Sequence, residues 1–113
     1  IYDHLRPADQ PYFRKTREAR LGKTLEEAGV NRDEMVEGFR NALNPMRLTL
    51  KTQPFIGGAS PNYADYIVFG PFQWARAISP FKLLKEDDPV YAWREKLLDA
   101  FGGMARKSPG YAV

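Results

Sequence analysis

One histidine, His4, and no cysteine occur in the chain, which removes thiolate metal sites, iron–sulfur ligation, disulfides and any cysteine nucleophile. A metal centre needs several His, Cys, Asp or Glu side chains converging, and one histidine cannot supply the paired Glu-x-x-His ligands of a di-iron bundle. Ser60, Ser79 and Ser108 each stand beside a proline in turn-forming sequence, and His4 is the only base available to them, so no Ser-His-acid triad is expected. The pairs Gly57-Gly58 and Gly102-Gly103 lack the spacing of a dinucleotide or phosphate loop and read as turns. No catalytic residue and no metal ligand is therefore assigned.

The carboxylates have a simpler use. Glu26-Glu27, Asp33-Glu34 and Asp87-Asp88 each fall in or just before the first turn of an expected helix, where negative charge complements the helix dipole. Asp65 stands three residues after Asn62, and together they form an N-terminal capping box, so Asn62 and Asp65 are assigned a structural role. Arg14, Lys15, Arg17, Arg20 and Lys23 form the one basic cluster, and Arg14 with Arg17 shares a helix face able to grip a carboxylate or phosphate. Tyr63, Tyr66, Phe69, Phe72 and Trp74 crowd one segment; stacking platforms for single-stranded nucleic acid use such rings, but apolar neighbours on all sides point to core packing instead.

These side chains must be carried by helices. From Asn31 to about Lys51, Met35, Phe39, Ala42, Leu43, Met46 and Leu50 recur in steps of three and four, with Asn31 and Glu34 as a start signal and Pro45 predicting a kink or helix end near Asn41. From Asn62 to about Ile78 only Asp65 and Arg76 are charged after the cap, which predicts a central helix surrounded by others and perturbed at Gly70-Pro71. Asp88 and Pro89 open a helix to about Phe101 whose stripe is Val90, Trp93, Leu97, Phe101 and Met104, with Gly102-Gly103 as its stop. Upstream, Tyr12, Phe13, Leu21, Leu25 and Ala28 are helix-spaced, with a break at Gly22 and a new cap at Thr24. No alternating strand pattern or internal repeat occurs, so the expected class is all-α, a bundle of four to six helices around the central apolar helix.

With 113 residues, 43% hydrophobic and 27% charged, the chain is sized and composed for one folded domain over residues 1–113. The net charge of +3 names no partner, and neither nucleic acid nor membrane is expected. The longest apolar stretch, Tyr66 to Phe72, is far short of the roughly 20 residues of a membrane span. A small cysteine-free domain held by its core alone suits the cytosol, and a cytoplasmic location is expected. The opening Ile1-Tyr2-Asp3-His4 has neither an initiator methionine nor a signal-peptide pattern, as expected of a piece of a longer protein.

The segment Pro54-Phe55-Ile56-Gly57-Gly58-Ala59-Ser60-Pro61-Asn62-Tyr63-Ala64-Asp65-Tyr66 resembles the glutathione S-transferase C-terminal domain at the start of its central helix, where that family carries a Ser/Thr-x-x-Asp box. Asn62 replaces the hydroxyl residue and caps equally well. The stretch Tyr66 to Arg76, with Asp88 to Arg94 and Arg17 to Glu26, is most similar to the bacterial branch that contains lignin β-etherases. The resemblance spans nearly the whole chain. It implies a parent protein whose N-terminal thioredoxin-like domain binds glutathione and activates its thiol, so this chain alone is expected to be inactive and to hold no cofactor. It further implies a homodimer in the full-length protein, and a helical domain that walls the hydrophobic co-substrate pocket, with Tyr12 and Arg17 as substrate-binding residues. The alternative is a non-catalytic helical protein-interaction module with a transferase-like fold.

Overall fold

The computed structural model describes residues 1–113, and all its regular elements are helical. A single 3₁₀ turn, Tyr2–His4, precedes six α-helices: α1 Gln10–Leu21, α2 Leu25–Gly29, α3 Arg32–Ala42, α4 Asn44–Leu50, α5 Tyr63–Ile78 and α6 Pro89–Lys107. This is the all-helical class read from the periodicity. The chain forms two compact units, Ile1–Gly38 and Phe39–Val113.

In the first unit the helix ends follow local chemistry. α1 stops at Gly22, whose φ of 68° is the left-handed conformation glycine adopts freely, and its N–H donates to the Glu18 carbonyl. Thr24 starts α2: its hydroxyl accepts from the Glu27 N–H at 3.1 Å while the Glu27 carboxylate accepts from the Thr24 N–H at 2.9 Å. α3 opens with the Glu34 and Met35 N–H groups donating to the Asn31 carbonyl. The expected stripe is one residue out at its start: Met35 is exposed and Val36 is buried.

In the second unit the break between α3 and α4 falls at Leu43, so that Pro45 lies in the first turn of a new helix instead of inside a long one. There its missing N–H leaves no helical acceptor unpaired. Asn62 and Asp65 start α5 as a complete capping box. Asp88 caps α6 by accepting from the Val90 N–H at 2.9 Å, and the fork of Arg47 donates to both Asp88 oxygens at 2.6–3.1 Å. α6 is broken at Ala100–Gly103, where Phe101, Gly102 and Gly103 all have positive φ, and a last helical turn follows. The Gly-Gly stop is thus present as an internal break.

The core of this unit is Phe69 and Phe72 of α5 with Leu84 and with Val90, Trp93, Leu97 and Leu98 of α6. The Trp93 ring stands edge-on to Phe69 and Phe72, with centroids 6.2 Å away in each case. Two expectations about this core are corrected. Trp74 is 61% exposed, and Tyr63, Tyr66 and Ile67 are exposed with it, so α5 is not surrounded on every side. Phe101 and Met104, counted in the α6 stripe, are exposed because the backbone turns at Ala100–Gly103 and takes them off the helical period.

Candidate functional site

α5 is organised by the two charges it carries. Asp65 is fully buried, and four donors converge on its carboxylate: the Ile56 N–H at 2.8 Å, the Gly57 N–H at 2.9 Å, the Asn62 N–H at 3.0 Å and the Trp93 indole N–H at 2.8 Å. Burial pushes this carboxyl up, but those hydrogen bonds outweigh it and hold the group below its ordinary value. Asn62 completes the cap, its side-chain oxygen accepting from the Ala64 N–H at 2.9 Å. Every acceptor site of Asp65 is therefore engaged in joining the Gln53–Pro61 turn, the helix start and α6, which is a structural task and leaves no carboxylate for acid–base chemistry.

The opposite end of α5 is tied by Arg76. Its guanidinium donates to the carbonyls of Ala105, Arg106 and Ser108 at 3.0–3.3 Å, and the Tyr111 N–H donates back to the Arg76 carbonyl. Gly110 lies so close that a Cβ there would sit 3.1 Å from that carbonyl. Arg106 bridges the break in α6, donating to Asp99 at 2.6 Å and to Glu95 at 2.9 Å.

Asp65, Phe69, Phe72 and Arg76, in steps of four and three, are the buried face of α5. Tyr63, Ile67, Gly70, Trp74 and Ala77 follow the same steps on another side, all exposed and none charged. Tyr66 extends this stripe onto α6, its ring centroid 6.4 Å from that of Phe101. Contiguous apolar surface of this kind marks an interaction site more often than a bare solvent face.

In the first unit, α1 carries the two residues expected to bind substrate. Tyr12 is 74% exposed. Arg17 lies over the Phe13 ring at 4.8 Å and donates to the Thr16 hydroxyl at 3.3 Å. The i, i+5 spacing sets them about 140° apart around the helix, so α1 does not bring them together. The expected Arg14–Arg17 grip is made by Arg14 with an internal partner: it donates to both oxygens of Glu26 at 2.8 and 2.9 Å and to Glu18 at 2.8 Å, and stacks on Tyr2 at 4.5 Å. That fork holds the Glu26 carboxyl down to about 2. Sequence spacing could not identify Glu26 as the partner, because the pair is closed by the turn at Gly22. A cavity of about 370 Å³ lies beside it, lined by Tyr2, Phe13, Arg14, Leu25 and Glu26 among others. Glutathione, with its two carboxylates, does not fit these residues: the one guanidinium fork at the cavity is already closed by carboxylates of the chain.

No group of three or more histidine, aspartate or glutamate side chains converges as a metal ion would require. The family model for the glutathione S-transferase C-terminal domain matches residues 1–100. The chain belongs to that family. In this family member the Asn62–Asp65 box, with Asp65 buried, fixes the start of α5, and the uncharged stripe lies open on the same helix. No helix of the transferase domain is long and apolar enough to cross a membrane.

Proposed function

We propose that this chain is the helical half of a glutathione transferase of etherase-like type, which walls a hydrophobic co-substrate pocket and contributes to a homodimer in the cytoplasm. The observation that carries the reading is the stripe of Tyr63, Ile67, Gly70, Trp74 and Ala77 on α5, exposed and uncharged in a chain of the transferase family. Such a surface suits a thioredoxin-like domain packed against it, which would hold glutathione and activate its thiol. The helical domain contributes apolar surface that excludes water and limits how an aromatic electrophile can lie. Tyr12 and Arg17 are the α1 side chains we assign to contact with that electrophile, each from its own face of the helix.

Calorimetric titration of glutathione into the 113-residue chain, and into a version extended upstream in its gene, tests this. Binding by the extended protein alone is the expected result. Binding by neither would turn the α5 stripe into the docking face of a non-catalytic interaction module, since the same uncharged surface serves both readings. Conjugation or β-ether cleavage by the 113 residues alone would overturn the division of labour.

A further inference from the structure

A second cavity, of about 340 Å³, lies wholly within the Phe39–Val113 unit and shares only Ile67 with the α5 stripe. It is bounded by Phe39 and Leu43, by Ile67, Pro71 and Phe72 of α5, and by Leu83. Phe72 is buried and meets Phe39 edge-on, centroids 6.1 Å apart, whereas Ile67 and Pro71 are exposed at the rim. The Leu83 wall is held in place by Arg40, which donates to the Leu83 carbonyl at 2.9 Å and to the Lys82 carbonyl at 3.0 Å. Two hydrogen bonds thus hold the backbone on the Leu83 side of the space.

Its lining side chains are all apolar, so a charged guest would lose its hydration with no counter-charge in return. One polar group is nevertheless supplied by the backbone. Pro71 lies inside α5, four residues after Ile67, and proline has no N–H, so the Ile67 carbonyl lacks the donor that the helical ladder gives its neighbours. Ile67 and Pro71 both border the cavity, so the turn of α5 whose carbonyl has no ladder donor lies at its rim. The volume is at the small end of ligand sites and suits one or two rings.

We propose that this cavity binds a small uncharged aromatic molecule bearing one hydroxyl group, a phenol in chemical class. The ring lies among Phe39, Leu43 and Phe72, and the hydroxyl donates to the Ile67 carbonyl. The site needs neither glutathione nor a second domain, so its failure would leave the transferase reading untouched.

The probes are 2-naphthol and 2-methoxynaphthalene, which share their rings and differ in the donor, titrated into the 113-residue chain by calorimetry. The expected preference for naphthol is about three- to tenfold, the worth of one net hydrogen bond. Pro71→Ala restores the N–H and should abolish the preference while both probes still bind. Val68→Phe, on the same face, fills the space and should weaken both probes at least about tenfold; Leu83→Phe serves if that variant does not fold by circular dichroism. No naphthol binding, equal affinity for the two probes, a preference that survives Pro71→Ala, or binding that survives filling of the cavity each overturns the proposal, the last by putting the probe on the open α5 stripe.

Discussion

Four hydrogen bonds of the second unit converge on Asp65. Its replacement by alanine removes the cap and leaves the Ile56 and Gly57 N–H groups and the Trp93 indole N–H without their acceptor. We expect a loss of about 3 kcal/mol or more, beyond the 1–2 kcal/mol of an exposed cap, measured by urea unfolding. The carboxyl is held below its ordinary 3.8, so its contribution is fully present above that value and is lost as pH falls through the lower folded value. Asp88, whose carboxyl burial raises but Arg47 and the Val90 N–H lower further, acts in the same sense. Stability should fall below about pH 4, and Asp65→Asn should flatten that acid limb; an unchanged limb would assign the effect elsewhere. The capping role was legible in the sequence because the two members of a box stand only three residues apart. The bond from Trp93, 28 residues away, was not, since only the packing of α5 on α6 creates it.

At the scale of the helices, starts and stops were written locally and burial was not. Gly22, Thr24, Asn62 and Asp88 each mark an end through their own backbone or side chain, and each does so in the structure. Which face of α5 is covered depends on α6 and the Leu84 segment, so a helix apolar all round read as enclosed when one side is open. Gly22→Ala tests the stop of α1. A Cβ there meets nothing within 4 Å, so its cost is the left-handed backbone alone. About 1 kcal/mol of destabilisation is expected from thermal unfolding.

For the whole molecule, two tryptophans in opposite surroundings give a direct optical test. Trp93 is 1% exposed and Trp74 is 61% exposed. Trp74→Phe should leave a blue-shifted emission that acrylamide quenches poorly, and Trp93→Phe a red-shifted emission that it quenches well. Covering of the α5 stripe in the extended protein would shift the Trp74 emission to the blue, which links this measurement to the proposed domain packing. Fold class was legible because periodicity reports helices directly. The candidate site was legible only at the Asn62–Asp65 box, because the stripe, the two cavities and the Arg14–Glu26 pair all arise from contacts between elements.

The break in α6 has a further consequence for proteolysis. Phe101 is 75% exposed on a backbone with φ of 52°, next to two glycines in the same left-handed region, which makes it the most accessible aromatic cleavage point on α6. Chymotrypsin should cut first after Phe101. The released end should not leave, because Arg106 holds Glu95 and Asp99 on the far side of the cut and Arg76 holds the carbonyls of Ala105, Arg106 and Ser108. The nicked chain should therefore elute as one species in dilute buffer and run as two bands only under denaturing conditions, and Arg76→Ala should let the short peptide dissociate.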